Sequence, residues 1–249
     1  MKVVVFGASG EIGRRLVDVL KGRGVQVVAA QRSTGADAYA GTGLEQACRG
    51  ADVVVDCTNV TTTKAKVAVD FFGTVAGHIA DAATAQHVPR VICLSIINAA
   101  HPEVNAKFGY YQGKAAQEQV YQQGLAPGVL TVVRSAQWYE LAEQMMSGNR
   151  LGPVAAVPHM ATRPLAAADA AQLLAEEVCD PAGDDVELAG PAQMDIVDVA
   201  RALARRGDGP RWVIGINFGG PAIREGGLLP SGAFRAGTTS LDQWLATRS

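Results

Sequence analysis

The sequence opens with "KVVVFGASGEIGRRLVDVLKGRG", and no other stretch restricts the fold as much. An apolar run of strand length leads into glycines at positions 7, 10 and 13, then into an amphipathic helical pattern. Each glycine has a physical use at this spacing. Gly7 permits a tight turn, Gly10 lets a pyrophosphate approach the backbone, and Gly13 lets the helix pack closely on the strand. The first N–H groups of a helix lack intrahelical acceptors and lie at the positive end of its dipole, so they suit phosphate oxygens. Contacts to a dinucleotide are therefore expected along Gly7, Ser9, Gly10, Glu11, Ile12 and Gly13.

The rest of the chain repeats the strand–helix alternation. "VQVVAA", "ADVVVDCTN", "PRVICLSI" and "GVLTVVR" read as buried strands. Between them, "GLEQACRG", the stretch from Lys64 to His87, and "FGYYQGKAAQEQVYQQG" read as helices, the last ended by Gly124. Short apolar runs alternating with helices predict an α/β fold, a Rossmann-type doubly wound parallel sheet. After Asn149 the pattern loosens. Leu151 to Arg163 has no clear period, "AAADAAQLLAEEVCD" is a helix, and "DDVELAG" is a short strand and turn. "MDIVDVARALARRG" is a helix with Asp195 as its N-cap. A tail from Asp208 to Thr239, rich in Gly and Pro, precedes a short helix in "TTSLDQWLATRS". The expectation is one domain over residues 1–249. Residues 1–150 form the dinucleotide-binding core, and 151–249 form a substrate-side portion packed on it as a lid.

The second strand decides between NAD(H) and NADP(H). An NAD site carries an acid at the end of this strand to hold the ribose hydroxyls. Here the strand ends "VVAAQRST", with Arg32, Ser33 and Thr34 in the following loop and Arg14 directly after the third glycine. Two guanidinium groups and two hydroxyls suit a 2′-phosphate dianion, so NADP(H) is favoured over NAD(H). Asp37, further on, is a candidate for the adenosine.

Tyr110 and Lys114 are four residues apart and so share a helix face. An ammonium beside a phenol lowers the phenol's pKa from about 10, which suits it to protonate a carbonyl oxygen as hydride arrives. The same lysine can hold the nicotinamide ribose. The pair follows the "VICLSI" strand, the position where it would face a cofactor in this topology.

"GASGEIGRR", "VICLSI", "YYQGKAAQE" and "VVRSAQWYE" occur in this order. In that respect the chain resembles the atypical short-chain dehydrogenase/reductases, and among them the NmrA-like NAD(P)-binding proteins. The resemblance spans nearly the whole chain and is most specific at the glycine loop. It implies a C-terminal portion closing over the nicotinamide. It matches Thr58 and Asn59 to the segment passing the ribose and pyrophosphate, and Arg32 to a position favouring NADP. Tyr110 and Lys114 match the active-site pair. Ser95 stands where a catalytic serine is sought, about two residues early, and Asn98 or water is expected to replace the missing hydrogen bond. The backbone at Ala136 should border the carboxamide, with Gln137, Trp138 and His159 in the substrate pocket. The activity implied is NADPH-dependent hydride transfer to a small carbonyl, quinone or imine. The alternatives are a non-catalytic redox-sensing regulator and a nucleotide-sugar epimerase or dehydratase.

Composition narrows the partners. The net charge of −2 gives no reason to expect nucleic acid or an anionic membrane. No apolar stretch free of charge approaches membrane length. Cys48, Cys57, Cys93 and Cys179 form no C-x-x-C pair and have no metal-ligand spacing with a histidine, so no metal is expected. They read as small buried hydrophobes in a reducing compartment. A cytoplasmic monomer or homodimer acting on a small molecule is expected.

Overall fold

The computed structural model describes residues 1–207 and 209–248. Asp208, where the Gly- and Pro-rich tail begins, and Ser249 lie outside the described residues. The first half alternates as the sequence predicts: β1 (Lys2–Phe6), α1 (Glu11–Gly22), β2 (Gln26–Ala30), α2 (Leu44–Cys48), β3 (Val53–Asp56), α3 (Ala65–Ala85) and β4 (Val91–Ile96). A short α4 (Pro102–Asn105) then precedes α5 (Gly109–Gly124), β5 (Leu130–Ser135) and α6 (Tyr139–Gly148). The second half holds β6 (Arg150–Leu151), β7 (Val154–Pro158), β8 (Ala161–Thr162), α7 (Ala167–Cys179), β9 (Val186–Ala189) and β10 (Met194–Asp195). It continues through α8 (Ile196–Arg206), β11 (Trp212–Ile216), α9 (Pro221–Arg224) and β12 (Arg235–Ala236) to α10 (Leu241–Ala246).

Seven strands form the central sheet in the order β2-β1-β3-β4-β5-β9-β12, every neighbouring pair parallel. A parallel sheet buried on both faces needs continuous apolar strands, which is why "KVVVF" and "VVVDC" show no polar alternation. Val3, Val5, Val53, Val55, Ile92 and Leu94 face α1 and α7. Val4, Phe6, Val54, Val91 and Cys93 face α2, α3 and the Tyr121 side of α5. The chain leaves β1 for β2 on one side and returns to β3 on the other. The switch point, where ligands bind in such sheets, therefore lies at the C-terminal ends of β1 and β3.

A third core joins α4, α6, α8, α9 and α10 to a small sheet of order β11-β7-β6. Asp195 caps α8 as expected, its carboxylate accepting from Val197 N–H. Two features differ from the sequence reading. The aperiodic stretch 151–163 contains β6, β7 and β8, and the tail contains β11, α9 and β12. Two-residue strands carry no periodicity, and β11 ("WVIGI") is apolar on both faces, so neither could be recognised from alternation. The expected division at residue 150 also does not fall between layers. α7 packs on α1, and β9 and β12 complete the central sheet. No helix among the described residues is long and apolar enough to cross a membrane. Cys48, Cys57 and Cys93 are buried as expected, but Cys179, at the end of α7, is exposed.

Candidate active site

The glycine turn lies at the switch point. Gly7 has φ +72°, and a Cβ there would stand 2.6 Å from the Cys57 carbonyl oxygen, so β1 and β3 can converge only over a glycine. A Cβ on Gly13 would overlap the Gly7 carbonyl oxygen, which is the close helix–strand packing expected of the third glycine. Gly10 differs. Its φ of −74° is ordinary, and an added Cβ would meet only the Gly7 carbonyl oxygen, at 3.2 Å. It is exposed, as is Ser9. No side chain caps α1, and its first backbone bond in this direction is Arg14 N–H to Gly10 O. The Glu11 and Ile12 N–H groups thus open the helix without a side-chain acceptor, while the Ile12 side chain is buried in the core.

The expected phosphate clamp is only partly assembled. Arg32 lies on a 3-10 turn after β2, its carbonyl accepting from Gly35 N–H, and among the described residues its guanidinium makes no hydrogen bond or ion pair. Arg14 is paired with Glu11 at 3.3 Å, and Arg15 holds the same carboxylate at 2.7 Å. This pairing neutralises an acid in the first turn of a helix whose N-terminus would meet phosphate. The Thr34 hydroxyl shares its hydrogen between Ala29 O and Gln31 O and accepts from Gln31 N–H, so it closes the loop. Ser33 Oγ accepts from the Gln31 amide at 2.8 Å. Asp37 turns its carboxylate to the Tyr39 and Ala40 N–H groups of its own loop.

Helix α5 carries Tyr110 and Lys114, and glycines set its depth. A Cβ on Gly113 would stand 2.7 Å from Ala68 Cβ and Phe72 Cδ2 of α3, and one on Gly109 would stand 2.5 Å from Thr63 O. The "GYYQGK" stretch therefore lies directly on α3. Tyr110 packs edge-on to Phe72, and its hydroxyl donates to Asn59 Oδ1 at 2.7 Å, just past β3. Lys114 turns the other way. It is buried, with Nζ donating to Leu94 O at 2.9 Å and Gln117 Oε1 at 2.8 Å, 4.4 Å from the Phe72 ring centroid. The expected lowering of the phenol pKa is absent. Burial pushes the Tyr110 phenol above its ordinary value, with no opposing contribution from Lys114. Burial likewise pulls the Lys114 ammonium below its ordinary value, against nearby anionic groups that include Asp56.

Lys114 belongs to a buried network that the sequence reading missed. The Asp56 carboxylate is fully buried and accepts four hydrogen bonds. Thr58 N–H and Thr58 Oγ1 reach Oδ1, while Gln117 Nε2 and the Tyr121 hydroxyl reach Oδ2. Thr58 is thus fixed by Asp56. The Ser95 hydroxyl, at the end of β4, donates to Glu118, which also binds Arg134 at 2.6 Å. A signal for this network existed: an aspartate ending an apolar strand, and Lys114, Gln117 and Tyr121 at helical spacing on one face.

The proposed pocket residues are mostly engaged elsewhere. Asn98, at φ +56°, donates its amide to Gly227 O at 3.0 Å and Leu229 O at 3.1 Å, tying the segment after α9 to the end of β4. Gln137 is buried between the Tyr111 hydroxyl and Thr162. Trp138 donates Nε1–H to Ser135 Oγ at 2.9 Å and packs on the core. Ala136 N–H bonds Leu188 O at 2.7 Å, within the sheet. His159 Nδ1 stands 2.7 Å from Asp195 Oδ2 and braces the start of α8. The cover segment, residues 217–229, lies against Asn98 and Phe108. Phe218 stacks edge-on to Phe108 at 5.5 Å, and Arg224 has a buried Nε without a hydrogen-bond partner. Among the described residues, no group of three or more His, Cys, Asp or Glu is placed to hold a metal ion.

The N-terminal 100 residues match the family described as dihydrodipicolinate reductase, N-terminus. No curated protein matches the chain. Among solved structures it is similar to a dTDP-4-dehydrorhamnose reductase from Clostridium acetobutylicum, at 17% identity and TM-score 0.71, covering 100% of this chain and 93% of that one. It is also similar to MoeE5 in complex with UDP-glucose and NAD, at 17% identity and TM-score 0.70, covering 99% and 92%. A third is dTDP-4-dehydrorhamnose reductase from Bacillus anthracis str. Ames in complex with NADP, at 13% identity and TM-score 0.67, covering 87% and 84%. These likenesses establish the Rossmann-type fold shared with reductases and epimerases, and none of them singles out the NmrA-like proteins.

Proposed function

We propose that this chain is an NADPH-dependent oxidoreductase of the short-chain dehydrogenase/reductase type, acting on a small, largely apolar carbonyl, quinone or imine. The observation that carries the reading is the switch-point turn. Gly10 has space on its outer side, α1 begins uncapped, and Arg32 is an unpaired cation at the end of β2. These residues fit a dinucleotide with a 2′-phosphate: N–H groups for the pyrophosphate, a guanidinium for the added charge. Bound NADPH supplies a hydride. Tyr110 carries its proton at neutral pH, as any phenol does, and serves as the proton donor to the substrate oxygen. Asn59 accepts the phenolic hydrogen when no substrate is there and keeps the hydroxyl aimed at the switch point. Lys114 acts as a buried positioning cation between α5 and β4. The same reading has a single cytoplasmic domain, with residues 151–249 on the substrate side, and no nucleic acid or membrane as partner.

A second reading, a redox-sensing regulator that binds the cofactor without turnover, is favoured by the inward turn of Ser95 and Lys114. A nucleotide-sugar epimerase or dehydratase ranks last. The cover segment 217–229 offers one cation, Arg224, against the two charges of a diphosphate.

Calorimetric titration with NADPH and then NADH tests the cofactor. NADPH should bind at least tenfold tighter, a gap of about 1.4 kcal/mol, and Arg32→Ala should close most of it while Arg14→Ala changes it less. Equal affinity for both would defeat the 2′-phosphate reading. Turnover of NADPH with carbonyl and quinone acceptors, lost in Tyr110→Phe, separates the enzyme from the sensor.

A further inference from the structure

The small sheet β11-β7-β6 has one face against α6 and α8, and among the described residues nothing covers the other. Register fixes which side chains share the open face. Leu151 pairs with Val154, Val154 with Trp212, and Ala156 with Ile214. Ala155 and Val157, at the alternate positions, are fully buried in the third core. On the open side, Leu151 is 85% exposed, Trp212 50%, Ile214 55% and Ile216 37%. Large apolar side chains at every second position of a strand, all outward, are not the pattern of a solvated face, which alternates with polar residues.

We infer that this face packs against the same face of a second copy of the chain. Three properties favour a like partner. The four exposed side chains present roughly 400 Å² of apolar surface, about half of the ~800 Å² each partner contributes to a standard interface. No ionisable side chain occurs from Trp212 to Pro221, so a two-fold arrangement brings no like charges together. The face is also a sheet, and two sheets stack face to face at about 10 Å with interdigitating side chains. Edge-to-edge pairing of β11 would leave the apolar face open, so stacking is the arrangement that covers it. Arg211, stacked on the Trp212 ring at 4.8 Å, would lie at the rim of the contact. The inference does not depend on the proposed activity.

Sedimentation of the full chain at micromolar concentration is the test. Wild type should sediment as a dimer of the 25.9 kDa chain. Ile214→Lys should raise the dimer dissociation constant at least tenfold with unchanged circular dichroism, and Ile214→Leu should keep the dimer. On dilution, Trp212 fluorescence should shift to the red as its ring enters water. A wild-type monomer across this range overturns the inference. So does a dimer that survives Ile214→Lys. A monomer that binds phosphatidylglycerol vesicles in a Trp212-dependent way would reassign the face to a membrane surface. A monomer whose Ile214 variants change only the Michaelis constant for an acceptor would reassign it to substrate.

Discussion

Asp56→Asn probes the element that ties the cofactor end of the sheet to the helix carrying Tyr110. The substitution is nearly isosteric, so packing changes little and the effect is electrostatic. Asparagine keeps an acceptor for the two Thr58 donors but places an amide against Gln117 Nε2 and the Tyr121 hydroxyl, both donors. The tyrosine can rotate its hydrogen away and accept. Gln117 cannot turn over without presenting its amide to Lys114 Nζ, 2.8 Å from its carbonyl oxygen. Hydrogen bonds to a charged group contribute about 1.5–3 kcal/mol each. Lys114 also loses the carboxylate nearest to it through Gln117, and removing one partner of a buried charged arrangement costs about 3–5 kcal/mol. These overlap, and about 3–5 kcal/mol is expected in all. That is a large share of the ~5–15 kcal/mol that holds a typical domain. At about 2–4 °C per kcal/mol for a chain of this size, the midpoint should fall by about 10 °C. Urea unfolding followed by far-ultraviolet circular dichroism measures the loss, with exposed Asp81→Asn as a control expected within about 0.5 kcal/mol of wild type. A cost below about 1 kcal/mol for Asp56→Asn at unchanged m-value would refute the argument. It would mean that the four donors are satisfied without the charge.

Two further substitutions separate shape from binding and fix a pH window. Gly13→Ala must displace the Gly7 backbone and should destabilise the fold by more than about 3 kcal/mol. Gly10→Ala should cost under about 1 kcal/mol yet weaken NADPH at least tenfold; denaturation and calorimetry on both variants check this. For Asp195, burial raises the carboxyl pKa, but the Val197 and Met160 N–H groups and His159 outweigh it, so the folded value lies below the ordinary one. Its contribution is then fully present above about pH 4 and fades as the pH falls through the folded value. Asp195→Ala should cost about 1 kcal/mol at pH 7, as for other N-caps, with the difference from wild type shrinking in more acidic buffer. A difference that grew toward low pH would contradict that sign.

Much of the fold was readable in the one-dimensional pattern because local rules acted alone there. Gly13 is required by its contact with the Gly7 carbonyl and Gly7 by a left-handed φ of +72°, both inside one strand–turn–helix unit, so their spacing was readable; the approach of Gly7 to Cys57, just past β3, was not. Continuous apolar strands and helical periods marked the central sheet and both its helical faces. Asp195 was legible as a cap because capping depends on the next two residues. The site was less legible because its geometry depends on side-chain direction across elements distant in sequence. Spacing placed Tyr110 and Lys114 on one helix, but only packing against α3, through Gly109 and Gly113, turned the phenol to Asn59 and the ammonium to Leu94 and Gln117. Asn98 and the carbonyls of Gly227 and Leu229 are more than a hundred residues apart, so nothing local announced that the amide holds the cover segment. The open face of β11 was hidden for the same reason. "WVIGI" is apolar throughout, and the sequence by itself cannot say which side of a strand the rest of the chain will leave uncovered.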